Sequence, residues 1–371
     1  MLLPLKLLAG YDISGTVLDA STKQPIVGAV VFVNNSLKFA LSDSLGKFEF
    51  TNIQDSISEV VASANGYQPL SYLAESGKPA LALRFDLAPL LANTVSTDTK
   101  VTPELQEKFL SQFLGLSENA YDSYILNPNV LHYNLNAATG ILTVSANSML
   151  HIINEGLGYN IHYQLVNFQL NTNSDIAQLE GFCFFQPLNS KNTTLINKWE
   201  ARRKITYAGS CMHFMRSYFN NALDADGFTL QAVKRVLEDE PDFKEASRSK
   251  KDIVRQGTLN DNGVEKKFVD VATKEKMSMA KLNPRSLGAG KQFSPASKFL
   301  LVKYQRKEDF AFLESLLLMP LPKERVSLLN VAADGITVLQ NGDYYDKGNI
   351  SMAGSMQEKV AELLPYEYRP L

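Results

Sequence analysis

The residues that could carry chemistry are concentrated in one predicted helix. Arg203, Tyr207 and Ser210 follow a spacing of i, i+4 and i+7, which places them on one helical face, and His213 follows three residues later. A serine and a histidine one turn apart could act as nucleophile and base, whereas an arginine and a histidine could bind a carboxylate or a sugar phosphate. We name these four residues as binding candidates and no residue as catalytic.

The same residues also have a structural interpretation, which the sequence favours. Arg203 and Tyr207 would bond backbone carbonyls of a neighbouring sheet, and His213 would be a hydrogen-bonded core residue. No strained turn exposes Ser210, and no carboxylate that could orient His213 is apparent. Trp199, the only tryptophan of the chain, is likewise expected to pack in a core.

The histidines argue against metal chemistry of the known peptidase types. A zinc carboxypeptidase needs a glutamate three residues after one histidine, and then a further histidine. The chain has four histidines, His132, His151, His162 and His213. None of them is followed by an acidic residue three positions later. HExxH, GxSxG, Walker and GxGxxG motifs are absent as well. The run 224–227 begins like a calcium loop, but its twelfth position is Arg235 instead of a glutamate. We therefore expect no metal and no cofactor.

Composition narrows the class of protein further. The 371 residues include 37 Lys plus Arg and 39 Asp plus Glu, so the net charge of −2 gives no reason to expect nucleic acid as a partner. No apolar run is long enough for a transmembrane helix. The only cysteines, Cys183 and Cys211, exclude a disulfide-dense scaffold. Two buried free thiols are expected, and one disulfide remains the alternative.

The first hundred residues read as short strands separated by turns. Residues 13–17 alternate, residues 29–33 form a β-prone run, and Phe48 and Phe50 fall on one face of a third strand. Strands spaced at about ten residues are typical of a small antiparallel sandwich.

Four motifs in this segment resemble a known family. They are Ile13-Ser14-Gly15-Thr16-Val17, Pro25 to Val31, Ser42 to Phe48 and Ala64-Asn65-Gly66-Tyr67, and together they resemble the carboxypeptidase-like regulatory domain. The resemblance covers about a quarter of the chain. It implies a transthyretin-like β-sandwich, a module common at the front of envelope proteins of Gram-negative bacteria.

The remaining chain predicts a second, larger domain. Residues 92–101 are small and polar and are predicted to be a linker between a domain over 11–91 and one over 102–371. Thr102 and Pro103 predict a helix start, and residues from Asn192 to about Asp224 predict a long helix interrupted at Gly209. The fold class is therefore mainly β with α+β: the sandwich, then an α+β domain whose long helix packs on antiparallel sheet.

Two further observations concern the first ten residues and the second part of the chain. Residues 1–10 are apolar and end in small residues, like a truncated export signal, although Lys6 interrupts them. Residues around Trp199, His213 and the ending 363–368 resemble the uncharacterised region that follows the regulatory domain in many envelope proteins. That resemblance implies no reaction.

These observations favour a non-catalytic protein of the periplasm or outer membrane. It would combine an accessory sandwich with a domain that binds a glycan or an envelope protein, and the oligomeric state stays open. One alternative is a hydrolase of unrecognised type with a site on the 199–214 helix. The other is an accessory subunit of a TonB-dependent outer-membrane transporter.

Overall fold

A computed structural model describes residues 10–76, 82–90, 101–248, 252–261, 264–307, 310–317 and 320–370. The chain divides into two compact units, the first formed by Met1–Arg203 with Lys359–Leu371 and the second by Lys204–Glu358. In the described residues, no helix has both the length and the apolar character needed to cross a membrane. The predicted linker at 92–101 and the predicted signal at 1–10 lie, except for Val101 and Gly10, outside these residues, so both stay predictions.

The first unit begins with the predicted β-sandwich. Its strands are β1 (Tyr11–Asp19), β2 (Val30–Val33), β3 (Phe39–Leu41), β4 (Lys47–Ile53), β5 (Ile57–Ser63), β6 (Leu70–Glu75) and β7 (Ala82–Leu87). They form two sheets, β4-β1-β7 and β3-β2-β5-β6. All pairs are antiparallel except β1 with β7, which run parallel. The alternation read from the sequence places Phe48 and Phe50 in the core between the sheets, with Val17 and Phe85.

A six-stranded antiparallel sheet follows within the first unit. This part of the chain contains α1 (Pro103–Phe113), α2 (Glu118–Tyr121), β8 (Ser123–Ile125), β9 (Leu131–Asn136), β10 (Ile141–Ala146), β11 (Leu150–Asn154), β12 (Tyr159–Asn171), β13 (Ile176–Pro187) and α3 (Thr193–Tyr207), whose residues from Lys204 onward belong to the second unit. The strand order is β8-β11-β12-β10-β9, and β13 pairs with the long β12. The predicted cap of α1 is confirmed, since the Thr102 side chain accepts a hydrogen bond from the Leu105 amide.

The second unit is built on another antiparallel sheet. Its elements are α4 (Cys211–Phe219), β14 (Phe228–Leu237), α5 (Phe243–Ala246), β15 (Ile253–Asp261), β16 (Val264–Lys276), β17 (Arg285–Leu287), β18 (Gly290–Phe293), β19 (Phe299–Gln305), α6 (Ala311–Leu317), β20 (Glu324–Val331), β21 (Ile336–Val338), β22 (Tyr344–Tyr345) and β23 (Ile350–Gly354). The sheets are β15-β16-β14-β19-β20-β23 and β17-β18-β21-β22. Phe214 and Tyr218 of α4 pack into the core with Phe228 and Phe293.

The mainly-β, α+β fold class is confirmed, but the single long helix is wrong. Two helices, α3 and α4, occupy this stretch, and the chain turns between them at Gly209, where φ is +80°. An added Cβ at Gly209 would lie 2.6 Å from the Tyr304 ring, so only a glycine fits this turn. Ser210 is consequently the N-cap of α4 and does not share a helical face with Arg203 and Tyr207.

Candidate functional site

A cleft of about 490 Å³ opens in the first unit, within the size range of ligand pockets. The sandwich contributes residues of the β2–β3 hairpin and the end of β5. The six-stranded sheet contributes neighbouring positions of β11, β12 and β13. The lining residues that matter below are Phe39, Ser148, His151, His162, Phe184 and Gln186.

The two walls of the cleft are joined by a turn that follows β2. The Asn35 amide donates to the Cys183 carbonyl at 2.7 Å, and the Phe185 amide donates to the Ser36 carbonyl at 2.9 Å. The Asn34 side-chain oxygen accepts from the Cys183 amide at 3.0 Å. These bonds extend the sandwich backbone onto β13, so the walls hold a fixed spacing.

A row of rings forms the floor of the cleft. His151, His162 and Phe184 occupy paired positions on β11, β12 and β13, which places them side by side on one face of the sheet. The His162 and Phe184 rings stack at 4.4 Å with 2° between their planes. Phe39, from β3 of the sandwich, stacks on Phe184 at 4.8 Å and 23°. Phe39 as a residue is 39% exposed, whereas Phe184 is buried.

His162 is held in one orientation by its neighbour on β13. Its Nε2 lies 2.6 Å from Oε1 of Gln186, and because an amide oxygen only accepts, Nε2 carries the hydrogen. Burial lowers the pKa of His162, and the hydrogen bond with Gln186 opposes that effect only partly. The imidazole is therefore neutral near pH 7 and presents Nδ1 as an acceptor.

Several polar groups of the cleft keep their hydrogen-bonding capacity unused. Within the described part of the chain, the half-buried side chains of Ser148 and His151 and the side-chain nitrogen Nε2 of Gln186 make no hydrogen bond to protein, and Asn65 adds an exposed amide. The described lining contains no Asp, Glu, Lys or Arg. The cleft thus combines an exposed aromatic ring with uncharged donors and acceptors, a composition that suits an uncharged ligand.

The predicted candidates Tyr207, Ser210 and His213 lie together at the start of α4. The Ser210 oxygen accepts from the His213 amide at 3.1 Å, and Nδ1 of His213 accepts from the Gly209 amide at 3.1 Å. The His213 ring stacks on Tyr207 at 4.7 Å and meets Phe228 at 4.9 Å. These bonds cap the helix and fill the core, so they favour the structural interpretation.

Arg203, the fourth candidate, lies in the first unit and bonds a turn of the β-sheet. Its Nε donates to the Leu157 carbonyl at 2.7 Å, and a terminal nitrogen donates to Gly158 at 3.2 Å. The guanidinium also lies 4.1 Å above the Tyr159 ring. Trp199, one turn earlier, is buried and donates from Nε1 to the Glu155 carbonyl at 2.7 Å, as a core residue does.

A depression of about 700 Å³ in the second unit has a different character. It is lined largely by loop residues, and Lys298 contributes a charge. The amides of Asn283 and Asn349 are engaged with the carbonyls of Ser294 and Gly335. No aromatic ring lines it in the described part of the chain. The buried Oδ1 of Asn330 in its lining has no hydrogen-bond partner among the described residues, but the depression lacks the aromatic surface of the first cleft.

Both cysteines are free and buried, in agreement with the prediction of two thiols. Burial raises the pKa of the Cys211 thiol, and the nearby carboxylates of Glu358 and Asp343 raise it further. Among the described residues, no three His, Cys, Asp or Glu side chains form a group that could hold a metal ion.

Comparisons with known proteins assign the sandwich. Residues 13–93 match the model of the CarboxypepD_reg-like domain, so the N-terminal segment is a domain of this kind. No curated protein matches the chain.

Matches among solved structures are distant. They include a protein of Bacteroides uniformis assigned provisionally to carbohydrate binding, at 11% identity, with 49% of this chain and 75% of that chain covered and a TM-score of 0.18. A 9R-lipoxygenase from Cyanothece matches at 13% identity, with 59% and 49% covered and a TM-score of 0.15. A Ca²⁺-stabilised ice-binding adhesin of an Antarctic bacterium matches at 10%, with 96% and 92% covered and a TM-score of 0.12. Scores of this size do not indicate a common fold.

Proposed function

We propose that the protein is a non-catalytic binding protein and that the cleft of the first unit holds its ligand, a glycan or an uncharged segment of a partner protein. One observation carries the proposal: the cleft presents an exposed aromatic ring beside polar side chains that have no hydrogen-bond partner among the described residues. Half-buried polar groups that have no protein partner on a concave surface are available to a ligand, which favours a binding site there.

The hydrolase alternative finds no support in the contacts at the start of α4. A nucleophilic serine would share a hydrogen bond between its oxygen and a histidine ring nitrogen. Here the Ser210 oxygen instead accepts the His213 backbone amide, and Nδ1 of His213 accepts the Gly209 amide.

The proposal includes a location in the cell envelope. The CarboxypepD_reg-like domain at residues 13–93 supports it, because such sandwiches are common in envelope proteins. Fractionation of the source cells tests the location, and recovery of the protein in the cytosol alone would refute it. An accessory role beside a TonB-dependent transporter stays a prediction, which co-purification with such a transporter would test.

Calorimetric titration of the whole chain with uncharged oligosaccharides and uncharged peptides tests the binding function. Ser148→Trp fills the cleft from the loop before β11, whereas Asn147→Trp adds the same bulk at an exposed neighbour that does not line it. We expect at least one panel to bind, Ser148→Trp to abolish binding, and Asn147→Trp to keep it. Binding by neither panel, or equal loss in both variants, would refute the function. Turnover of the ligand that Ser210→Ala abolishes would establish the hydrolase instead.

A further inference from the structure

The Phe39 ring forms a flat, partly exposed surface in the lining of the cleft, and we call this ring the platform. One of its faces stacks on the buried Phe184 ring, and Phe184 in turn packs against His162 and Phe32. These contacts fix the plane of the Phe39 ring, and they leave 39% of the residue exposed. A ring whose orientation is fixed before binding loses little conformational entropy when a ligand stacks on it.

Polar side chains from both walls line the same cleft as this platform. Asn65 comes from the sandwich, and His151, Ser148 and Gln186 come from the six-stranded sheet. Amide and hydroxyl groups both donate and accept, so they suit partners that carry hydroxyl groups in several directions. The lining therefore combines a flat apolar surface with hydrogen-bonding groups.

The chemistry of this lining selects among ligand classes. An ionic ligand would find no opposite charge among the described lining residues, and a hydrocarbon would leave the polar groups of the cleft unpaired. A sugar ring has an apolar C–H face and a rim of hydroxyl groups, and it fulfils both requirements. We propose that the cleft binds an uncharged saccharide, with one sugar ring stacked on the outer face of Phe39. This inference rests on the proposed binding function and narrows its ligand.

The competing occupant is an extended peptide added to the edge strand β3. In the described part of the chain, β3 pairs only with β2, so its outer edge could accept a strand. However, β3 has three residues, Phe39–Leu41, which gives a peptide a very short ladder. A peptide ladder would also leave the amide of Gln186 and the ring of His151, on the opposite wall, without a specific role.

The test compares two exposed aromatic residues of the same sandwich sheet. Phe39 on β3 and Tyr72 on β6 are 39% and 40% exposed, and each ring lies against a buried phenylalanine, Phe184 and Phe85 respectively. The whole chain is titrated with neutral glucan, mannan and xylan hexasaccharides, with uronate hexasaccharides, and with uncharged hexapeptides. Phe39→Ala, Phe39→Trp and Tyr72→Ala are titrated beside the wild type, and circular dichroism verifies that each is folded.

The proposal expects a neutral hexasaccharide to bind the wild type. Phe39→Ala should weaken that binding at least about fivefold, whereas Phe39→Trp and Tyr72→Ala should stay within about twofold. Binding by uronates alone, or equal effects of Phe39→Ala and Tyr72→Ala, would overturn it. Peptide binding that Ser148→Trp abolishes, with no saccharide binding, would overturn this inference and leave the proposed function intact. If neither panel binds, both fail.

Discussion

The cleft of the first unit and the start of α4 in the second contain similar residues with different partners. Each has a histidine stacked on an aromatic ring, His162 on Phe184 and His213 on Tyr207. At α4, the Ser210 oxygen and the His213 ring satisfy backbone amides of the helix start. In the cleft, the His162 ring bonds the side chain of Gln186, a residue of the lining, and the neighbouring His151 ring makes no hydrogen bond to the described residues. The comparison teaches that hydrogen-bond partners, more than residue type, separate a supporting cluster from a binding surface.

The largest loss of stability should follow from a substitution at Gly209, in the turn between α3 and α4. Gly209→Ala introduces a Cβ at positive φ and against the Tyr304 ring, so we expect a loss of about 3 kcal/mol in unfolding free energy. Urea denaturation followed by circular dichroism measures it. The matched control is Gly348→Ala, where an added Cβ meets nothing within 4 Å. Equal effects of the two substitutions would contradict the structural role of this break.

A somewhat smaller loss of unfolding free energy is expected for Arg203→Ala. The substitution removes the hydrogen bonds to the Leu157 and Gly158 carbonyls, and although the Gly158 carbonyl keeps the Leu188 amide at 3.0 Å, the buried Leu157 carbonyl loses its Arg203 donor, at a cost of about 2 kcal/mol. The fluorescence of Trp199, which bonds the same turn, reports unfolding in urea. Lys198→Ala, at an exposed position of α3, serves as the control. If Arg203→Ala were as stable as Lys198→Ala, Arg203 would not be needed for the fold and could serve a ligand. That result would weaken the comparison.

The cleft should show a dependence of stability on pH that originates from His162. Burial holds the pKa of this imidazole below its ordinary value of 6.5 in the folded state. Its contribution to stability is therefore fully present above pH 6.5 and is lost as the pH falls from there through the lowered pKa. Thermal unfolding between pH 7.5 and 4.5 should show that His162→Gln loses less stability than the wild type. Parallel curves would indicate that His162 does not titrate in the cleft.

The smallest expected effect is a change in the chemical labelling of the two cysteine thiols, one near the cleft and one at the start of α4. Cys183 on β13 and Cys211 at the start of α4 are both buried, so neither should react with iodoacetamide in the native protein. Gly209→Ala should increase labelling at Cys211 and leave Cys183 protected. Mass spectrometry of the labelled peptides measures both sites at once. Rapid labelling of Cys211 in the wild type would show that the start of α4 is open.

Local patterns in the sequence were sufficient for much of the fold. Alternation predicts the strand with Phe48 and Phe50, and the cap chemistry of Thr102 predicts the start of α1. Apolar spacing continues through Gly209, so it predicts one helix where the structure has two. The steric reason for the break, the Tyr304 ring, lies almost a hundred residues away, and helical periodicity carries no information about it.

The cleft could not be found from spacing along the chain. Phe39, Ser148, His162 and Gln186 come from four separate segments and meet only through the pairing of β11, β12 and β13 and the turn after β2. His151 and His162 lack the acidic residue that a zinc peptidase needs three positions later, so the sequence predicts no site for them. The one local signal was the polar Gln186 continuing the alternation of Phe182 and Phe184 on β13. It identifies a face of the strand but not its ligand.

The central claim is that the cleft, and not the start of α4, is where this protein binds. Hydrogen exchange of the whole chain, with and without the tightest ligand of the titration panels, tests it most directly. The account predicts slower exchange in residues 27–41, 148–151 and 184–186, and unchanged exchange in residues 207–216. Protection centred on residues 207–216, with none at the cleft, would contradict it.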